Sequence, residues 1–340
     1  MKVADFEYFL PDELIAQDPA PVRDESRLMI LPKKGGEPLH GLFKDIIDYI
    51  RPQDVLVIND TKVIPARLWG KKEGTGTTIE VLLLTRRDEH IWETLVRPGR
   101  RVPPGTKIIF GDELTGTVEA VADEGCRLIK FHYQGVFEEL LDKLGVMPLP
   151  PYIKKQPMDP GRYQTVYARD PGSAAAPTAG LHFTPELLQK VRDRGTAVVP
   201  VLLHVGLGTF RPVKVDEVTS HRMHAEFYSV PEETAHVIND TRIRGGRVIA
   251  VGTTTTRCLE TAAQDTGKVQ PGAGRTEIFI YPGYRFRAVD GLITNFHLPR
   301  STLLMMVSAL VGRERLLDTY NLAVRMRYRF FSFGDAMLII

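Results

Sequence analysis

Hydrophobic and polar positions along the chain fall into three textures. Up to about residue 67 they make short, mixed runs. Pro11-Asp12-Glu13 puts a proline and two acids where a helix would start, and Leu42–Ile50 has helical apolar spacing. Asp54-Val55-Leu56-Val57-Ile58 is a continuous apolar run that predicts a buried strand. It ends in Asn59-Asp60-Thr61-Lys62, at the carboxyl end of that strand, where open α/β sheets bind ligands.

From Leu68 to Tyr133 the texture changes. Thr78–Thr85, Ile91–Val96, Lys107–Phe110, Leu114–Val121 and Cys126–Phe131 are short β-rich segments separated by Gly/Pro/Asp turns, with no helix between them. This spacing predicts a small antiparallel sheet or barrel. Val136–Leu144 predicts a helix stopped by Gly145. Five prolines over residues 148–160 then make a stiff connector that is neither helix nor central strand. Beyond it, helices at Pro185–Arg194, Pro231–Asp240, Thr253–Thr266, Ser301–Leu310 and Glu314–Arg325 are interspersed with strands at Ala197–Leu203, Arg247–Val251 and Gly291–Ile293. The expected fold is a mixed-sheet α/β main domain, residues 1–67 and 148–340, interrupted by an inserted small antiparallel β-barrel domain at 68–147.

Composition narrows the class. With 43% hydrophobic and 25% charged residues, the chain of 340 has the balance of a soluble globular protein. Its net charge of +2 excludes coating nucleic acid through bulk charge and leaves open a local basic patch. Cys126 and Cys258 are far apart and outside any CxxC, which argues against a disulfide scaffold or a cysteine zinc site and fits a reducing compartment. The opening residues lack a basic flank and apolar run, and no segment reaches the roughly 18 apolar residues of a membrane span. A cytoplasmic protein that does not bind membranes is expected.

Candidate chemistry lies mainly in three stretches: Gly172–Thr184 (GSAAAPTAGLHFT), Leu202–Pro212 (LLHVGLGTFRP) and Ser220–Phe227 (SHRMHAEF). Small residues let backbone approach a ligand, and imidazoles beside that backbone exchange protons near neutral pH. His182 and His204 lie in such stretches, and His297 follows the predicted strand at Gly291–Ile293. Gly206 and Gly208 are followed by Arg211 where a dinucleotide loop needs a third glycine, and no P-loop occurs. His221, His224 and Glu226 have a metal-like spacing, but in an extended segment His224 and Glu226 face away from His221, which favours hydrogen-bonding roles. A metal-dependent hydrolase stays open as the rival enzyme class. A non-catalytic RNA-binding module is the other rival, and it would need exposed stacking aromatics. Arg97, Arg100 and Arg101, with Lys107 nearby, predict a basic hairpin tip. The alternation over Arg325–Phe331 predicts a strand with Arg327 and Arg329 on one face and aromatics on the other.

Long strings then converge on one family. Val57–Leu68 (VINDTKVIPARL), Thr94–Arg101, Leu149–Ile153, Arg162–Tyr167, Ala174–Thr184, His204–Val213, His221–Glu226, Val251–Glu260 (VGTTTTRCLE), Ile278–Gly283, Asp290–Leu304 and Tyr328–Met337 resemble the S-adenosylmethionine:tRNA ribosyltransferase-isomerases of queuosine biosynthesis from end to end. Ala174, Leu202 and Phe333 depart from that pattern, standing where valine, threonine and tyrosine are common. The resemblance implies an α/β domain with a barrel insert. It also implies a reaction in which S-adenosylmethionine gives its ribosyl carbons to the aminomethyl group of a 7-deazaguanine at the tRNA wobble position. Adenine and methionine leave, and epoxyqueuosine forms.

Such a reaction needs a base for an acidified C5′ proton and an acid for adenine. His182, His204, His224 and His297 are the expected proton carriers, with Glu226 and Asp60 holding tautomers or ribose hydroxyls. Expected substrate contacts are Thr61, Lys62, Arg67, Tyr163, Tyr167, Thr178, Gly206, Gly208, Thr209, Thr254, Tyr281 and Asn295. An aromatic face among Tyr163, Tyr167, Phe183 and Tyr281 would stabilise the sulfonium by about 0.5–2 kcal/mol. Arg97, Arg100, Arg101, Arg327 and Arg329 are expected on tRNA phosphates. S-adenosylmethionine is then a co-substrate, tRNA carrying the 7-deazaguanine precursor is the partner, and a monomer without metal or resident cofactor is expected.

Overall fold

The computed structural model of the chain describes residues 1–155, 159–206 and 213–340. They form two compact units. The first comprises Met1–Thr61, Pro151–Asp170 and Ala176–Ile340; the second comprises Lys62–Pro150 and Pro171–Ala175. A mixed α/β architecture with a closed antiparallel barrel is therefore present, as the hydrophobic pattern predicts.

In the first unit nine strands make one mixed sheet. Their order is Gly272–Thr276, Glu226–Val230, Ala197–Leu203, Val55–Asn59, Val248–Val251, Gly291–Asn295, Ala336–Ile339, Arg27–Leu31 and Leu39–Leu42. From Ala197–Leu203 through Gly291–Asn295 the neighbours are parallel, so four carboxyl ends open on one side. Leu56 and Ile58 enter a core with Phe43, Ile46, Phe183, Leu187 and Val191. Val55 and Val57, equally buried, point by alternation to the opposite face, and burial on both faces is what makes this strand read as an unbroken apolar run.

Caps and clamps hold the surrounding elements. Thr184 accepts from Leu187 N at 3.1 Å ahead of Pro185, which starts the helix Pro185–Asp193. Ser301 does the same for Leu304 N at 3.2 Å at the start of Thr302–Val311. The fully buried Glu260, near the end of the helix Thr253–Ala262, accepts from Tyr284 Oη and from the backbone N–H of Arg287, Ala288 and Val289. A carboxylate taken out of water is tolerated when its lone pairs are filled in this way.

The structure departs from the predicted elements at several places. Leu42–Ile50 is a 3-10 helix, Phe43–Asp48, following an edge strand, and the Pro11 segment is likewise a short 3-10 turn, Asp12–Leu14. Arg325–Phe331 is not a strand. The helix Arg313–Arg325 is followed by a turn with positive φ at Arg327 and Phe331, and Tyr328 and Phe330 pack around Phe296 with ring centroids 5.3 and 5.1 Å away. Core aromatics rather than strand alternation account for the sequence there. The C-terminal strand is Ala336–Ile339.

The second unit is a closed six-stranded barrel, ordered Arg127–Tyr133, Ile91–Arg97, Thr78–Arg86, Arg67–Lys72, Lys107–Ile109 and Leu114–Val121. Ile79, Val81, Ile108, Val118, Ile129 and Phe131 are among its buried residues. The basic segment after Ile91–Arg97 is not a hairpin tip. The 3-10 turn Gly99–Arg101 leads to Lys107–Ile109, which pairs with Arg67–Lys72 and Leu114–Val121 instead of with Ile91–Arg97. Arg127 secures this turn by donating to the carbonyls of Gly99 (2.9 Å) and Val102 (2.8 Å). Among the described residues, no helix is long and apolar enough to cross a membrane.

The helix Phe137–Leu144 buries Phe137, Leu140 and Leu141, the i, i+3, i+4 stripe of an amphipathic segment. Gly145 ends it at φ −86°, so left-handed geometry is not the reason for glycine. Close approach is: a Cβ there would lie 2.0 Å from the carbonyl oxygen of Pro65 and 2.6 Å from that of Leu141. Gly145→Ala is expected to lower barrel stability by about 1–3 kcal/mol. A fall in the urea midpoint followed by tryptophan fluorescence checks this, because Trp69 and Trp92 both lie in the barrel unit.

Candidate active site

The carboxyl ends of the parallel strands meet around one buried side chain, Asn59. Its Nδ2 donates to the Leu203 carbonyl (2.9 Å) and to Thr254 Oγ1 (3.3 Å). Its Oδ1 accepts from Leu203 N (3.0 Å) and Thr61 N (3.2 Å). Thr61, fixed in this way, places its hydroxyl 2.8 Å from His204 Nδ1. The His204 ring stacks on Phe227 at 5.9 Å, and burial lowers its pKa below the ordinary imidazole value, which keeps it neutral at pH 7.

Next to this pair lies Asp60. Its carboxylate is buried and 2.9 Å from Arg169, and its carbonyl accepts from Arg169 N (2.7 Å) and Asp170 N (3.2 Å). Burial raises its pKa, with Arg169 opposing. Tyr167 stands over Gly180: a Cβ at Gly180 would fall 2.0 Å from the phenol oxygen. That hydroxyl is buried and has no hydrogen-bond partner among the described residues. Gly252, at φ +92°, closes the rim between Thr254 and Ala179, whose side chains lie 3.6 and 3.8 Å from where its Cβ would be. Asp60, Thr61, His204, Thr254, Tyr167 and the turn Thr178–His182 thus share one rim within the first unit.

His182 is locked on both nitrogens. Nδ1 lies 2.7 Å from Ser26 Oγ and Nε2 lies 3.0 Å from Asn295 Nδ2, while Asn295 Oδ1 accepts from Thr178 at 2.9 Å. The ring stacks on Phe43 at 5.0 Å, and burial first, then Arg329 and Arg23, push its pKa down to about 3. His297 belongs to another group: its Nε2 is 2.7 Å from Thr294 Oγ1, its N–H donates to Tyr320 Oη, and its carbonyl accepts from Tyr8. Burial takes it, too, down to about 3.

Glu226 is used internally, accepting from Gly206 N (2.9 Å) and from Arg257 Nη1 (2.5 Å), with both side chains of the ion pair buried. Arg257 also donates to the Ile278 carbonyl, and its Nη2 is buried without a partner among the described residues. His224, half-buried, precedes the strand that starts at Glu226; His221 stands edge-on to Phe279, which contacts Tyr281. Among the described residues, no group of three or more His, Cys, Asp or Glu could hold a metal ion. Gly208 and Thr209 lie outside the described residues.

The remaining expected residues are dispersed. Tyr163 is fully buried, edge-on to Phe333. Lys62 is exposed in the barrel unit, where Arg67 pairs with Glu80 at 3.1 Å and donates to the Leu149 carbonyl. Arg97, Arg100 and Arg101 are exposed on that unit, as is Arg327 on the first, while Arg329 is half-buried and 3.7 Å from Asp335. Sequence reasoning passed over Asn59 and Arg257. The first stood in a quoted polar strand end; the second is one of two charges, with Glu260, inside a helix that is otherwise apolar and threonine-rich.

A family model described as "Queuosine biosynthesis protein" matches residues 3–339. The chain is 64% identical over 342 residues to the S-adenosylmethionine:tRNA ribosyltransferase-isomerase of Pelotomaculum thermopropionicum, and 61% identical over 342 residues to that of Moorella thermoacetica, with 100% of each chain covered. It is also similar to the crystal structure of S-adenosylmethionine tRNA ribosyltransferase from Thermotoga maritima. There the TM-score is 0.57 and the identity 41%, over 99% of this chain and 100% of that one.

The two imidazoles held near pKa 3 make a stability prediction. The unfolded chain takes up their protons below about pH 6.5 and the folded chain does not, so their contribution is complete above that pH and declines as pH falls toward 3. His182→Gln and His297→Gln should each flatten the fall in unfolding free energy by up to about 1.4 kcal/mol per pH unit. Urea titrations at a series of pH values between these limits measure the slope, and variants with the parent slope would show that the folded state does not hold these rings neutral.

Proposed function

The chain belongs to the queuosine biosynthesis protein family and is a transferase-isomerase, and from that premise we propose that it moves the ribosyl group of S-adenosylmethionine onto the aminomethyl group of a 7-deazaguanine at the tRNA wobble position. In this reading the ribosyl group is isomerised to the epoxycyclopentane of epoxyqueuosine, and adenine and methionine are released. The observation that carries it is the shared rim at the strand ends, where a neutral His204 held by Thr61 stands with Asp60 and Tyr167.

A sulfonium acidifies the protons on its neighbouring C5′, and a neutral imidazole can remove one. His204 is the candidate base: with Nδ1–H turned to Thr61 Oγ1, its Nε2 lone pair is left to accept the proton. Departing adenine needs a proton. Asp60 is the candidate acid, because burial raises its pKa and makes the protonated form more accessible than for a carboxyl in water. Tyr167, whose ring is only half-buried, suits contact with the sulfonium better than the fully buried Tyr163 does. His182, saturated on both nitrogens, acts by orienting Asn295 and Thr178. Glu226 and Arg257 hold the backbone at Gly206. Exposed Arg97, Arg100, Arg101 and Arg327 are available to tRNA phosphates.

Incubation with precursor-bearing tRNA and S-adenosylmethionine, followed by mass analysis of the nucleoside, tests the activity; an unmodified wobble base would end this reading. His204→Ala should slow adenine release by roughly 100- to 10,000-fold with both substrates saturating. Release at the parent rate would remove His204 from the proton transfer.

A further inference from the structure

The parallel pairing between Ala197–Leu203 and Val55–Asn59 ends with Val201 opposite Asn59, and Asp60 N donates to the Val201 carbonyl at 3.1 Å. Leu203 lies two residues further on. His204, which follows it, sends its N–H to the Phe227 carbonyl on the other flank (3.0 Å), so the N–H and carbonyl of Leu203 face the place that the first strand has left. The Asn59 carboxamide fills that place. Its Oδ1 accepts from Leu203 N at 3.0 Å and its Nδ2 donates to the Leu203 carbonyl at 2.9 Å, as a further peptide group of the strand would. The amide cannot be turned round, because Oδ1 meets two N–H groups, of Leu203 and Thr61, which only donate.

One plane therefore fixes both segments that carry the 2.8 Å contact between Thr61 Oγ1 and His204 Nδ1. That contact decides how the ring is turned. Stacking on Phe227, at 5.9 Å, restrains the tilt of the imidazole but leaves it free to rotate in its own plane and exchange its nitrogens. A base must present one chosen nitrogen to the C–H it attacks, and a displacement of about 1 Å costs roughly 100-fold in rate. Asn59 is fully buried, so it does not itself reach a substrate.

We propose that Asn59 is a positioning residue of the reaction: by holding Leu203 and Thr61 in one plane, it sets the imidazole of His204 with Nδ1–H on Thr61 and Nε2 free for the substrate proton. This rests on the role given to His204 above.

The test measures kcat for adenine release, with both substrates saturating, in the parent, Asn59→Ala, His204→Ala and the double variant. Asn59→Ala should lower kcat by about 100-fold in the parent, and only a few-fold where His204 is already gone. Nitrogen NMR spectra of the imidazoles, with His204 assigned by its absence from His204→Ala, supply a reading that does not depend on activity. The parent should show the Nδ1–H tautomer, and Asn59→Ala and Thr61→Val a mixture of both. Asn59→Asp keeps the shape and both acceptances but loses both donations; it should also show the mixture, and it replaces the alanine variant if that one does not fold. Equal losses of kcat in the two backgrounds would make Asn59 a structural residue unconnected with His204 and overturn the proposal. So would a parent-like His204 tautomer in every folded Asn59 variant. A parent that releases no adenine, while its His204 tautomer still depends on Asn59, would instead bring down the proposed function itself.

Discussion

Asn59 occupies the point where strand ladders run out and three segments still have to be held in register, and its amide supplies four hydrogen bonds there. A backbone ladder cannot continue past the ends of parallel strands, so the peptide groups of Leu203 and Thr61 would be left buried and unpaired without it. The side chain that satisfies them also reaches Thr254. Positions of Thr61, His204 and the start of the next helix are therefore set by a single planar group, with little rotamer freedom remaining. Catalytic precision of the kind proposed depends on such support from behind the reacting groups.

Burial then divides the histidines by role. His182 and His297 lie wholly inside, their nitrogens face neutral partners, and desolvation removes the charged form from reach at working pH. His204 is less enclosed and is shifted in the same direction. Acid groups are treated unequally as well. Asp54 meets Arg247 at 2.6 Å and is held below the usual carboxylate range by that arginine and backbone donors working against burial, whereas burial dominates at Asp60. Of these two buried aspartates, the one at the strand's carboxyl end is the one whose proton is easier to keep.

Much of this was legible before any coordinates. The run Val55–Ile58, the alternation of strands and helices after Ala197, and the even spacing of barrel strands follow directly from periodicity, because each reports which faces are covered. Arg27–Leu31 and Gly272–Thr276 carry weaker signals: the first follows irregular turns, and the second, GAGRT, has no apolar pattern because it lies at the sheet edge. The Arg/aromatic alternation at Arg325–Phe331 misled because period two also arises when aromatics in a turn pack around a neighbour such as Phe296. Within the candidate site, the glycine- and threonine-rich strings supply Thr178, His182, His204 and Thr254, which the fold brings to the carboxyl ends of the parallel strands. Sequence could not separate His204 from His182, because that difference lies in which partners saturate each ring.

Position 180 is closed to any residue larger than glycine as long as its neighbours stay as they are. The missing side chain would meet the Tyr167 phenol at 2.0 Å and the Thr165 methyl at 2.9 Å. Any lineage that enlarges position 180 must first vacate space at 165 or 167, so these three sites form an epistatic triplet. Their substitutions should be contingent on one another in evolutionary time, with glycine lost on backgrounds where the side chains at 165 and 167 have already given way.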